Sequence, residues 1–404
     1  MQRLCITGAR FVRPRPEKIV AMGGKPAVTM RSASSSTPRN RALCRRFAST
    51  TTAAPATSET AGHDMAGSQQ SRSSTSSSST SQHRPRPKIR KGHVKPPLPV
   101  PDTIVRPFYA TNAAQGYAPQ PLSGAQLFGE RKTADEVRRM RVAAEVASSA
   151  LVALREHLHS PEMLELARDG KLTTSRIDEF VQSHLMARSA YPVGIRFHGF
   201  PRGCCTSVNE VVVHGVPDDE PLQLGDIVNV DVSCFVDGMY GDTSKMFAVG
   251  GPSRASPEAR ALCRATRDAL YRAVEACKPG VRVDVIGKVI TEVAKAKKYG
   301  VVREFTGHFI GKELHMPPFV LHVPNDQTLT LQPGMTFTIE PILTAGGSGD
   351  IEGPWEDGWT FVTKDGSLSA QMEHTALITE TGHEILTESA LDTDPAFVDS
   401  GGLF

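Results

Sequence analysis

Four carboxylates stand where a carboxylate is costly. Asp231, Asp242, Glu340 and Glu373 each interrupt a β-branched or apolar run. Asp231 lies in Ile227-Val228-Asn229-Val230-Asp231-Val232, and Asp242 in Gly241-Asp242-Thr243-Ser244-Lys245-Met246-Phe247, with Asp237-Gly238 between them. Asp-Gly flanked by apolar residues is the strongest short hairpin signal, so the two aspartates are expected on opposite arms, within about a residue of facing each other. Facing Cβ atoms lie about 5 Å apart, and two carboxylates there repel unless a cation sits between them. In Met335-Thr336-Phe337-Thr338-Ile339-Glu340, period two places Thr336, Thr338 and Glu340 on one face, and Pro341 makes Glu340 the strand's last residue. Glu373 breaks a strand that continues as Ala376-Leu377-Ile378. Either glutamate alone fits an edge-strand device; four acids with the same habit argue for a shared cation site. His308, expected in a loop after the strand Val301–Phe305, offers a nitrogen ligand, and His315 lies seven residues on.

The four carboxylates sum to −4, which two divalent cations would neutralise; clustered without cations they could not all stay ionised. Two metals roughly 3.5–4 Å apart can share one water and acidify it, a geometry taken from known two-metal enzymes. Carboxylate-rich ligation with one imidazole suits Mn²⁺, Fe²⁺ or Co²⁺ at least as well as Zn²⁺.

These residues need strands to hold them and helices to bury the strands. Thr133-Ala134-Asp135-Glu136 is a capping box opening a helix with Val137, Met140, Ala144 and Val146 on its apolar face. Pro161 to Leu172 reads as an excursion before a second helix, Thr174 to Ala187. Cys205 to Val213 is a strand broken at Asn209-Glu210. Ser256-Pro257 starts a third helix reaching about Cys277, and Asp284 a fourth ending at Tyr299-Gly300. Short β segments follow at 301–305, 335–340, 359–363 and 370–379. Two helices, strands, two helices, strands: the order predicts an α+β fold of two similar halves.

The first hundred residues read differently. Residues 1–47 carry eleven Lys/Arg against one acid, Glu17, the composition of an organellar targeting segment. Residues 48–105 are Ser/Thr-rich, then basic and Pro-rich, and are expected to be a disordered linker, leaving 106–404 as the catalytic domain. Arg84 to Lys91 could meet ribosomal RNA, although no aromatic interleaves the charges. The seven cysteines include no C-x-x-C pair, and a net charge of +3 singles out no partner class. No apolar run approaches the roughly 18 residues of a membrane span. Neither DNA nor a membrane is expected as a partner, and a monomer is.

His214-Gly215-Val216-Pro217, Asp231-Val232, Gly241 to Phe247, Gly307-His308, Gly334 to Pro341 and Ser369 to Thr375, in that order, together resemble the type I methionine aminopeptidases over roughly residues 106 to 390. The resemblance implies the "pita-bread" fold: two pseudo-symmetric αβ halves with curved antiparallel sheet, helices outside, and two divalent ions (Co, Mn, Fe or Zn) between the halves. It implies Asp231, Asp242, His308, Glu340 and Glu373 as ligands, with Glu340 also handling the water's proton. His214 and His315 become substrate-side histidines, and Phe197, Phe200, Cys205 and Trp359 a methionine pocket. The implied reaction is removal of the initiator methionine from nascent chains with a small second residue, by metal-activated hydroxide. The address is mitochondrial, with plastid or cytoplasm as alternatives. An Xaa-Pro aminopeptidase and an inactive binding module on the same fold are the rivals. Phe309 replaces the family's usual glycine and is expected to crowd the pocket or alter the loop, and Arg196-Phe197 replaces asparagine-tyrosine.

Overall fold

The structure, a computed structural model, describes residues 88–111, 128–394, 400 and 402–404. The targeting segment and the serine tract lie outside the described residues. The helices are α1 (Ala134–Leu158), α2 (Pro161–Arg168), α3 (Thr174–Met186), α4 (Pro257–Glu275) and α5 (Val285–Lys297). The strands are β1 (Tyr191–Pro192), β2 (Cys205–Val208), β3 (Val211–Val213), β4 (Ile227–Val236), β5 (Met239–Ala248), β6 (Gly300–Val301), β7 (Gly307–Phe309) and β8 (Met316–Val320). They continue as β9 (Thr336–Ile339), β10 (Ile342–Thr344), β11 (Ile351–Glu352), β12 (Phe361–Thr363), β13 (Ser369–Gln371), β14 (His374–Ile378) and β15 (His383–Ile385).

Each half has its own core. In the first, α1, α2 and α3 cover the antiparallel sheet of β1, β4, β2 and β5, burying Leu151, Leu154, Ile177, Val181 and Leu185 against Val228, Val230 and Val232. In the second, α4 and α5 bury Leu262, Leu270, Ile286 and Ile290 against the sheet β15-β14-β9-β7-β8 through Phe309, Phe337 and Ile339. The α+β, two-halved expectation matches this arrangement. The capping box forms: Thr133 Oγ1 accepts from the Glu136 N–H at 3.3 Å, and Glu136 Oε2 accepts from the Thr133 N–H at 2.8 Å.

The hairpin forms with Asp237 and Gly238 at φ 52° and 75°, the left-handed pair that a two-residue type I′ turn requires. Its register pairs Asp231 with Ser244 and Asp242 with Ser233, so the aspartates sit diagonally, two steps apart on one face, rather than opposite each other. Helix α1 lies directly on this ribbon. A Cβ at Gly241 would stand 2.3 Å from the Ala143 carbonyl oxygen, so only glycine lets the helix press against the strand beside Asp242.

Several expectations change. Pro161 to Leu172 contains a helix, and the 301–305 strand shrinks to Gly300–Val301. His308 lies on β7, not in a loop, because Gly307 and His308 pair with Val320 and Phe319. The strand through Glu373 is two strands, interrupted at Met372-Glu373, where Glu373 bridges to Ser244 of β5. Residues 88–105 are no free linker: the Ile89 N–H donates to Glu210, Gly92 N–H to Asp218 at 2.7 Å, and Leu98 N–H to Gln182 at 2.9 Å. Backbone donors along this extended arm find carboxylates and an amide on the domain, so ordering costs are offset by hydrogen bonds the composition did not reveal.

Candidate metal centre

The two halves meet where β5 passes residues 371–375. Ser244 N–H donates to the Glu373 carbonyl at 3.4 Å and Glu373 N–H to the Ser244 carbonyl at 3.3 Å. Thr375 Oγ1 donates to the Asp242 carbonyl and Thr243 Oγ1 to the Glu373 carbonyl, each at 2.8 Å. This cross-stitching fixes the backbones of Asp242 and Glu373, which lie 131 positions apart in the chain, as one unit. Behind it, buried Lys245 pairs with Asp392 and donates to His374 Nε2 at 3.0 Å, while Tyr271 Oη donates to Asp392 at 2.6 Å.

Asp242, His308 and Glu373 are buried, and each presents a ligand atom within 4.8 Å of the other two. His308 Nε2 lies 3.5 Å from Asp242 Oδ2 and 3.7 Å from Glu340 Oε1. Asp231 and Glu340 are partly exposed, so the cluster opens to solvent on their side. Burial first, then the field of Asp242, pushes the Asp231 carboxyl well above the ordinary range. Burial, Asp242 and Asp231 do the same to Glu340, and burial, Asp242, Glu340 and Asp231 to Glu373. All four acids therefore feel one another.

The donors fit divalent cations. His308 Nδ1 lies 3.2 Å from the Phe309 carbonyl oxygen, which can only accept; Nδ1 therefore carries a proton, and Nε2, directed at two carboxylates, is the ring's available ligand atom. A cation bound among these atoms would take the nitrogen and the two carboxylates as ligands at once. Asp231 Oδ1 and Glu373 Oε1 are buried with no hydrogen-bond partner among the described residues, although a carboxylate oxygen there requires a donor or a metal. Two hydroxyls aim the acids: Ser233 Oγ, which the sequence reading did not single out, donates to Asp242 Oδ1 at 2.8 Å, and Thr338 Oγ1, expected on the face of Glu340, donates to Glu340 Oε1 at 2.9 Å. Ser233 shares a strand face with Asp231 two residues away, so period two alone could have flagged it as it did Thr338.

The residues expected on the substrate side lie close to the cluster or to one another. The His315 ring lies 4.4 Å from that of His308 and 5.4 Å from Phe197, centroid to centroid. Burial, then His308, His214 and His198, hold His315 well below its ordinary pKa; burial brings His214 to about 3. Both rings are thus neutral and can each donate one N–H. Trp359 stands edge-on to Phe200 at 5.1 Å and to His214 at 6.2 Å. Cys205 faces Asp231 across the β2–β4 ladder, and burial followed by Asp231 raises its thiol far above the thiolate range. A thiol held protonated in this way is no nucleophile.

Phe309 corrects an expectation. It is fully buried, stacks at 5.4 Å on Phe337 and points into the second core, because β7 alternates and sends His308 the other way. Phe309→Ala is therefore expected to cost about 3–5 kcal/mol of stability, read as a lower urea midpoint, with divalent-metal affinity unchanged.

A family model described as "Metallopeptidase family M24" matches residues 138–380. The chain is 40% identical over 303 residues to "Methionine aminopeptidase 1D, chloroplastic/mitochondrial" of Arabidopsis thaliana, covering 75% of this chain and 80% of that protein. It is 42% identical over 270 residues to "Methionine aminopeptidase" of Escherichia coli (strain K12), covering 66% of this chain and 97% of that one. Among solved structures, the methionine aminopeptidase from Rickettsia prowazekii superposes with a TM-score of 0.58 at 37% identity, over 64% of this chain and all (100%) of that one.

Proposed function

The chain belongs to metallopeptidase family M24, with the pita-bread fold, and to its methionine aminopeptidases, and from that premise we propose how its own residues remove an N-terminal methionine. Asp231, Asp242, His308, Glu340 and Glu373 would hold two divalent cations, Mn²⁺, Fe²⁺, Co²⁺ or Zn²⁺. When bound, such ions polarise the scissile carbonyl and acidify a water into the neutral range. Glu340, steadied by Thr338, takes the proton of that water at its carboxylate and returns it to the departing amine. His315, neutral and beside His308, donates an N–H towards the carbonyl oxygen as negative charge develops on it. His214 holds the substrate backbone from the Trp359 side. Phe197, Phe200, Cys205 and Trp359 form the apolar, sulfur-tolerant wall that a thioether side chain suits.

The single observation that supports the metal reading best is the convergence of buried ligand atoms from Asp242, His308 and Glu373 within 4.8 Å of one another. Purified protein, metal-stripped and then reloaded with Mn²⁺ or Co²⁺, is expected to cleave Met-Ala-Ser, to leave Leu-Ala-Ser intact and to prefer Met-Ala over Ala-Pro. Equal cleavage of Met- and Leu-peptides, or activity unaffected by metal removal, would refute it.

The arginine-rich leader assigns the enzyme to the mitochondrion, and the Arabidopsis relative carries an organellar name. A fluorescent fusion of residues 1–60 that stayed outside mitochondria would overturn that assignment. Lys88, Arg90 and Lys91 of the arm are exposed and available to ribosomal RNA near emerging nascent chains. The enzyme acts as a monomer in this reading. No described helix is long and apolar enough to cross a membrane.

A further inference from the structure

Behind the acid cluster lies another buried imidazole, His322, which is 2% exposed. Its Nε2 accepts from the backbone N–H of Gly307 and from that of Glu340, each at 3.3 Å. One of these amides immediately precedes His308, and the other is Glu340's own. We infer that His322 is a positioning residue of the metal centre, a two-pronged acceptor that clamps the strand end bearing Glu340 to the strand start bearing His308. This inference rests on the metal-site reading above.

The sheet by itself leaves that relationship loose. Strands β7 and β9 share a single ladder pair, Phe309 with Phe337, and the β7–β8 register shifts between His308 and Phe309. Two side chains supply what the ladder lacks. Thr338 Oγ1 accepts from the His308 N–H at 3.0 Å and donates to Glu340 Oε1 at 2.9 Å. His322 ties the same two segments through their backbones.

The choice of residue points the same way. A neutral imidazole has one acceptor nitrogen and one donor nitrogen, so accepting at Nε2 places the proton on Nδ1. Nδ1 is buried and has no hydrogen-bond partner among the described residues. An unpaired buried donor is a cost, and an apolar side chain of similar volume would avoid it. It would also take away the acceptor serving the Gly307 and Glu340 amides. The ring is placed for its acceptor, and outer partners of this kind typically carry 10–100-fold in metal affinity.

The test compares the full chain with His322→Met and His322→Gln, whose Oε1 restores an acceptor. Mn²⁺ is titrated calorimetrically into each metal-stripped protein, with melting and hydrogen exchange of the 307 and 340 segments followed in EDTA. His322→Met is expected to weaken Mn²⁺ binding by roughly 10–100-fold and to speed exchange in both segments, with His322→Gln recovering most of the loss. His322→Met binding Mn²⁺ as tightly as the unmodified protein, or His322→Gln binding it no better than His322→Met, would overturn the clamp. Should the methionine variant not fold, His322→Asn, too short to reach both amides, replaces it; asparagine matching glutamine would be the refuting result. If the unmodified chain takes up no Mn²⁺, the metal-site reading itself falls and takes this inference with it.

Discussion

Asp242→Ala is expected to abolish turnover of Met-Ala-Ser and to strip divalent metal from the purified protein. The residue is 4% exposed and its carboxylate is divided between two tasks. Oδ1 takes the Ser233 hydroxyl at 2.8 Å, and Oδ2 faces His308 Nε2 at 3.5 Å. It is also the acid whose charge raises the carboxyls of Asp231, Glu340 and Glu373. Loss of an outer partner costs about 10–100-fold in metal affinity; loss of a ligand at the centre of the cluster should exceed that, lowering turnover by about 10³-fold or more, roughly 4 kcal/mol of barrier. Misfolding would not mimic the result, because deleting one of four mutually repelling acids should leave the metal-free protein at least as stable. Steady-state kinetics, metal analysis and melting in EDTA, taken together, decide it. A variant that kept its metal and its rate would dissolve the proposed site.

Asp178→Ala should be the most damaging single change to stability away from the centre. Arg202 and Asp178 are both 0% exposed, with Nε and Oδ2 2.7 Å apart. Asp178 Oδ1 also accepts from the Gly203 and Cys204 N–H groups at 2.9 Å, holding the turn that leads into Cys205. The guanidinium reaches on to the carbonyls of Lys95 and Pro96, so the pair nails the N-terminal arm to α3. Removing the carboxylate leaves the buried cation with only Glu179, 4.0 Å away and partly exposed, as a counter-ion, a loss of about 3–5 kcal/mol. For a domain of this size the melting temperature should fall by about 10 °C. The double variant Asp178→Leu/Arg202→Met should be less destabilised than Asp178→Ala, because no charge is then left uncompensated. A single variant melting within a degree or two of the parent would mean that the pair contributes nothing net.

How far the sequence could be read depended on whether a feature was local. The Asp237-Gly238 turn, the Thr133–Glu136 capping box and the Ser256-Pro257 helix start were legible because each is decided by backbone preferences within four residues. The acids were legible as anomalies, since an ionised side chain inside a β-branched run must find a partner somewhere. Strand length was not: Glu373 sits in a break whose cause is its bridge to Ser244, a contact from the other half of the fold. Nor could the sequence assign the arm at 88–105, whose proline-rich composition reads as a linker while its donors end on Glu210, Asp218 and Gln182.

The amino-acid order alone, then, determined which side chains could bind a cation, the hairpin that carries two of them and the helices that bury it. Only the tertiary structure decided that Phe309 faces the core rather than the pocket, that the two aspartates sit diagonally, and that Thr338 and His322 brace His308 against Glu340. The physical reason is range. Turn and cap preferences act over a few bonds, whereas strand register and the pairing of buried donors with acceptors are settled between segments that meet only when both cores close.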